Sequence, residues 1–117
     1  MSNKVLIEIF NLGIKENKKD AVCFKLPELS KIAVVATKNK YAAAPIILSK
    51  YNVSKFNPKY ILVNSGNANA CTGTMGMSNA IKCTKSISKK FNCRKENILL
   101  SSTGIIGRQL PINTIIK

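Results

Sequence analysis

Two segments rich in small polar residues hold the groups that could do chemistry. The first is NSGNANACTG at residues 64–73, and the second is SSTGIIGRQLP at residues 101–111. Gly66, Gly73 and Gly104 would let the backbone approach a ligand closely, and the asparagines add amide donors and acceptors without charge. These residue types would suit a pocket that holds a polar ligand through backbone N–H groups and side-chain amides.

Two other interpretations of residues 64–73 compete with a ligand pocket. The glycines match neither GxGxxG nor GxxxxGK[ST], and no lysine follows at the required place, which argues against a phosphate-binding loop. A structural turn followed by a helix cap is the simpler alternative. In that case Thr72, Thr74 or Ser78 would cap the helix, and the asparagines would hydrogen-bond local backbone.

The strands that must position these segments are predicted from short apolar runs bounded by turn residues. They fall at residues 4–12, 21–26, 31–37, 60–63 and 97–102. Three helices are also predicted. These span residues 41–51 with Pro45 in the first turn, residues 77–91 with Asn92 as the stop, and a last helix that opens at Pro111.

The order strand, loop, amphipathic helix, strand over residues 60–102 indicates a crossover unit. Its two strands should be parallel, with a right-handed connection. Both polar segments then lie side by side at the carboxyl edge of the sheet, where open α/β sheets bind ligands. Residues 1–117 are predicted to form a single mixed α/β domain.

Charge and composition exclude several other functions. The formal net charge is +14, but only Arg94 and Arg108 of the nineteen basic residues are arginines, and aromatics are 6%, which disfavours a nucleic-acid site. No apolar run is long enough to span a membrane, and the N-terminus does not resemble a signal peptide, so the cytoplasm is the expected location.

Metal and thiol chemistry are also disfavoured. The chain has no histidine, and its four cysteines lack any zinc-binding spacing. We therefore predict no metal and no resident cofactor. The expectation for Cys23, Cys71, Cys83 and Cys93 is that they are small buried hydrophobes.

The two polar segments resemble the paired signature of the ornithine acetyltransferase family, the bifunctional glutamate N-acetyltransferases of arginine biosynthesis. NSGNANACTG is the more specific match, and STG alone would be weak. VVATKNK at residues 34–40 and AAAPIILS at residues 42–49 are similar to that family in the same order. The resemblance therefore covers nearly the whole chain.

The resemblance implies a fold shared with DmpA-type aminopeptidases, in which stacked sheets lie between outer helices. It also implies transfer of acetyl from N2-acetyl-L-ornithine to L-glutamate, with acetyl-CoA as a further donor in some members. The family's oxyanion hole carries over to Thr103 and Gly104, and Asn64, Ser65, Gly66 and Asn67 are expected to shape the same pocket.

The family's catalytic threonine and its second chain have no counterpart in these residues. With no histidine and no carboxylate near STG in sequence, we expect no activated nucleophile in this chain. The carboxylates are Glu8, Glu16, Asp20, Glu28 and Glu96. The chain would then act as an N-terminal portion that needs a β-chain-like partner, in the family's α2β2 arrangement. An inactive truncated remnant and a small basic RNA-binding module are the alternatives.

Overall fold

A computed structural model describes residues 3–117 as a four-stranded sheet with helices. The strands follow the order of the chain: β1 (Leu6–Phe10), β2 (Ala21–Lys25), β3 (Tyr60–Asn64) and β4 (Ile98–Ser102). β2 is antiparallel to both β1 and β3, whereas β3 and β4 are parallel. The predicted parallel pair is therefore confirmed.

Three α-helices and one 3₁₀ turn complete the fold. They are α1 (Ala44–Lys55), α2 (Gly73–Phe91), the turn Lys95–Asn97 and α3 (Ile112–Ile115). Pro45 lies in the first turn of α1, where its missing N–H is not needed. Asn92 ends α2 in the left-handed conformation, with φ 50°, and α3 follows Pro111, as predicted.

One face of the sheet packs against the helices because β2, β3 and β4 alternate apolar side chains toward it. This face and the residues beneath it form the main core, which consists of Ala21, Cys23, Ala44, Tyr60, Leu62, Ala80, Ile87, Ile98 and Leu100. The opposite face is also apolar. By strand register it carries Ile7, Ile9, Val22, Phe24, Ile61, Val63 and Leu99, of which only Leu99 is buried and the others are half-buried or exposed.

One predicted strand and two predicted helix boundaries were wrong. Residues 31–37 are not a strand: both edges of β2, the strand with which this run would form a hairpin, are already paired with β1 and β3, and Val35 is fully exposed. The helix predicted over residues 41–51 instead spans Ala44–Lys55. Its last turns are held to the sheet by the buried Asn52 side chain, which donates a hydrogen bond to the Ile98 carbonyl at 3.1 Å. α2 begins at Gly73, four residues before the start of its apolar period.

Candidate functional site

The loops that leave β3 and β4 lie side by side and are joined by backbone hydrogen bonds. The Thr103 N–H donates to the Asn64 carbonyl at 3.0 Å, and the Ile105 N–H donates to the Gly66 carbonyl at 3.3 Å. The Ala68 N–H in turn donates to the Ile105 carbonyl at 3.0 Å. The parallel pairing thus continues past both strand ends and aligns the two polar segments.

This alignment requires a glycine at position 104. Its φ is 129°, a conformation that side-chain-bearing residues rarely adopt. A Cβ at Gly104 would overlap the Gly66 carbonyl carbon and would lie 2.6 Å from the Asn67 nitrogen. Gly104 is therefore the point where the two loops touch backbone to backbone.

The asparagine amides are used to hold these loops in place. Asn64 donates to the Asn67 carbonyl at 2.9 Å and accepts from the Ser102 hydroxyl at 2.6 Å. Asn67 is buried, donates to the Arg108 carbonyl at 3.0 Å, and accepts from the Asn69 N–H at 2.8 Å. Both side chains therefore hold loop backbone in place, and the bond from Asn67 connects residues that are 41 positions apart in sequence.

The predicted helix cap takes a different form. Thr72 occupies the position before α2 but makes no side-chain cap hydrogen bond, and its hydroxyl donates instead to the Asn69 side-chain oxygen at 2.8 Å. Thr74 and Ser78 lie inside the helix. Asn69 also donates to the Gly76 carbonyl at 3.0 Å, so it ties the loop to the first turns of α2.

Asp20 holds a third loop, the turn after β1, beside the two polar segments, although it is far from both in sequence. The carboxylate is buried and accepts hydrogen bonds from the N–H groups of Leu12 at 2.6 Å, Ile14 at 2.7 Å and Lys15 at 2.9 Å. Its carbonyl accepts from the Ser65 N–H at 2.8 Å. One residue therefore shapes the turn after β1 and fixes that turn against the loop after β3.

We expect Asp20→Asn to lower the free energy of unfolding by about 3 kcal/mol, because an amide nitrogen would replace one acceptor oxygen and the remaining bonds would lose their charge. Urea unfolding followed by circular dichroism measures this change. The matched control is Glu16→Gln, which removes an exposed carboxylate from the same turn. A loss for Asp20→Asn no larger than that of the control would contradict the assigned role.

A cavity of about 720 Å³ opens where these three loops meet. Of the residues predicted to form the site, Ser65, Gly66, Asn67, Thr103 and Gly104 line it, and Asn64 does not. Gly13, Ile14, Lys15, Ile105, Arg108, Gln109 and Pro111 complete the lining. Gln109 donates to the Thr72 carbonyl at 2.9 Å, which ties the cavity rim to the start of α2.

Two hydrogen-bond donors in this lining are free. Within residues 3–117, neither the Thr103 hydroxyl nor the Gly104 N–H makes a hydrogen bond, and both residues are exposed. Adjacent free donors beside a cavity are what a ligand oxygen that carries negative charge requires. The lining contains no Asp or Glu, so no carboxylate there would repel such an oxygen.

The thiols are distributed differently from the prediction. Cys23 and Cys83 are buried, and burial raises the pKa of each thiol to about 11, with Glu8 adding to the effect at Cys23. Cys93 is half-buried, and desolvation raises its pKa too. Cys71 is exposed, so the expectation that all four are buried was wrong. Among residues 3–117, no group of His, Cys, Asp and Glu side chains has a metal-binding arrangement.

None of the helices among the described residues is both long enough and apolar enough to cross a membrane.

Comparison with known proteins identifies the family of this chain. The model of the ArgJ family matches residues 6–117. The chain is 39% identical over 105 residues to the arginine biosynthesis bifunctional protein ArgJ of Caldanaerobacter subterraneus, which covers 90% of this chain and 26% of that protein. It is 43% identical over 106 residues to ArgJ 2 of Clostridium acetobutylicum, and this match covers 91% of this chain and 27% of that protein. The chain thus spans about a quarter of the length of the curated relatives it matches.

Solved structures show the same fold. The crystal structure of arginine biosynthesis bifunctional protein ArgJ from Bacillus halodurans superposes with a TM-score of 0.87 and 29% identity, over 96% of this chain and 59% of that chain. An ornithine acetyltransferase from Mycobacterium tuberculosis, complexed with ornithine, superposes with a TM-score of 0.80 and 24% identity, over 96% of this chain and 62% of that chain. The predicted layered α/β fold is confirmed by these superpositions.

Proposed function

Because the chain belongs to the ArgJ family and corresponds to its N-terminal part, we propose that it supplies the oxyanion hole of an N-acetyltransferase in arginine biosynthesis. The acetyl group would move from N2-acetyl-L-ornithine to L-glutamate in the cytoplasm. Acetyl-CoA is a second candidate donor, and it would act as a substrate rather than as a resident cofactor.

The observation that supports this role is the pair of free donors at residues 103 and 104. When a hydroxyl attacks an acetyl carbonyl, negative charge develops on the carbonyl oxygen. The Thr103 hydroxyl and the Gly104 N–H are adjacent, unpaired within residues 3–117, and beside the cavity.

The attacking group would come from a β-chain-like partner. No carboxylate lines the cavity and the chain has no histidine, so no Asp, Glu or His side chain stands beside the donors as a general base. Catalysis would then proceed through an acetyl-threonine formed on the partner and stabilised here. We propose that the two chains assemble as α2β2 and that the partner covers the open apolar face of the sheet.

Co-expression tests this proposal. The second chain would be the downstream three quarters of ArgJ 2 from Clostridium acetobutylicum, the relative that is 43% identical. We expect the mixture to transfer labelled acetyl from N-acetylornithine to glutamate, and we expect either chain alone to be inactive, because donors and nucleophile are on different chains.

A folded, co-purifying pair that shows no transfer would contradict the catalytic role and would favour an inactive remnant. Co-purification itself is measured separately by size-exclusion chromatography. Assembly and chemistry are thereby tested independently.

A further inference from the structure

The cavity beside the free donors carries two cations, Lys15 and Arg108. Among residues 3–117, Lys90 pairs with Glu8 and Lys95 pairs with Glu96, whereas neither Lys15 nor Arg108 forms an ion pair with a carboxylate. Both residues are exposed. Their charges are therefore available to an anionic ligand that enters the cavity.

Lys15 is held beside the candidate oxyanion hole by two contacts. Its N–H donates to the buried Asp20 carboxylate at 2.9 Å, which fixes the backbone of the turn. Its side chain crosses the bare face of Gly66: Cγ and Cε lie 3.1 and 3.3 Å from the point that a Cβ on Gly66 would occupy. Gly66 in turn contacts Gly104. The lysine stem thus packs on the loop that meets the donors.

Arg108 is anchored by its backbone and is free at its side chain. Its carbonyl accepts from the buried Asn67 amide at 3.0 Å, and the preceding Gly107 N–H donates to the Ala70 carbonyl at 2.8 Å. A guanidinium group on a fixed backbone presents a planar fork that matches a carboxylate in two hydrogen bonds. Two loops from different parts of the chain thus place cations on one cavity.

We infer that Lys15 and Arg108 form a subsite for the side-chain carboxylate of glutamate, and that this subsite selects the acidic acceptor and its acetylated product. The inference rests on the proposed function for the identity of the ligand. Acetylornithine carries an ammonium group at the end of its side chain, which would have to lie away from the two cations when the donor binds, whereas glutamate and N-acetylglutamate carry a carboxylate there. Charge alone would then separate the acceptor from the donor.

The test is a titration of the ¹⁵N-labelled 117-residue chain, monitored through its amide NMR shifts. The probes are N-acetyl-L-glutamate and N-acetyl-L-glutamine, which differ only in the side-chain carboxylate. We expect saturable shifts at Gly66 and Gly104, with a Kd about tenfold lower for N-acetyl-L-glutamate. Lys15→Gln and Arg108→Gln should each raise that Kd about threefold, and the double variant should remove the preference.

Lys19→Gln and Arg94→Gln are the matched controls, because each removes one exposed positive charge from outside the cavity lining. They should leave the preference unchanged. The inference is overturned if the two probes bind equally, if no saturable shifts occur in a chain with a dispersed spectrum, or if the controls weaken binding as much as the cavity variants do.

Failure of this inference is distinguishable from failure of the proposed function, because binding and acetyl transfer are measured separately. Transfer activity in the co-expressed pair without a carboxylate preference would overturn the subsite alone. A carboxylate preference lost in Lys15→Gln and Arg108→Gln, in a pair without transfer, would support the subsite and overturn the catalytic role.

Discussion

Thr103→Ala in the co-expressed enzyme should lower kcat about a hundredfold, because removal of one oxyanion donor raises the barrier by about 3 kcal/mol. The hydroxyl makes no hydrogen bond within residues 3–117, so its removal breaks no hydrogen bond of that range. The Thr103 backbone N–H still bonds to the Asn64 carbonyl in the variant, and the loop stays paired. The loss should therefore fall on kcat and leave KM for N-acetylornithine nearly unchanged.

Thr103→Ser is the matched control, because it retains the hydroxyl and removes only the methyl group. It should keep most of the activity. Initial rates over a range of N-acetylornithine concentrations separate kcat from KM. Equal activity in the alanine variant and the wild-type enzyme would remove Thr103 from the oxyanion hole, and equal losses in both variants would indicate a packing role.

Gly104→Ala should have the largest effect on the fold, a loss of about 4 kcal/mol in the free energy of unfolding. Two causes add. The φ of 129° disfavours any side chain, and the new Cβ would overlap the Gly66 backbone. To accommodate it the loops must separate, which breaks the hydrogen bonds between Ile105 and both Gly66 and Ala68.

Gly107→Ala tests the cost of a side chain at positive φ without a close backbone contact. Gly107 lies in the same loop with φ 79°, but a Cβ there would meet no atom within 4 Å. Its cost should be about 1 kcal/mol, the backbone term alone. Urea unfolding of the two variants gives the comparison. If both lose the same free energy, the close contact between Gly104 and Gly66 does not contribute.

Much of the scaffold could be predicted because local patterns encode it. The apolar run Tyr60–Val63 and the segment before Ser102 are bounded by turn residues, so their strands were predicted nearly to the residue. The amphipathic period that ends at Phe91 gave the end of α2 but not its start. The first turn of that helix is GTMG, which has no apolar period, and its position depends on the contact between Gly76 and Asn69.

The error at residues 31–37 has a similar cause. An apolar, β-branched run has the composition of a strand, but a strand exists only where a neighbouring edge is free to pair. β2, which directly precedes this run in the chain, is already paired on both sides, so the run cannot form a hairpin with it. Composition predicts that such a run favours extended backbone, but whether it pairs with a strand of the sheet depends on the sheet topology.

Local patterns in the sequence are enough to predict the parallel strand pair, the two polar loops at its carboxyl edge and the family signature in those loops. They are enough because strand periods and turn residues depend on only a few neighbouring positions. Three relations are visible only in the tertiary structure: the Asp20 carboxylate holds a third loop in place, the buried Asn67 side chain connects two loops, and Lys15 and Arg108 line one cavity. These relations join residues up to 93 apart in the numbering, and no local period records which distant groups a folded chain brings together.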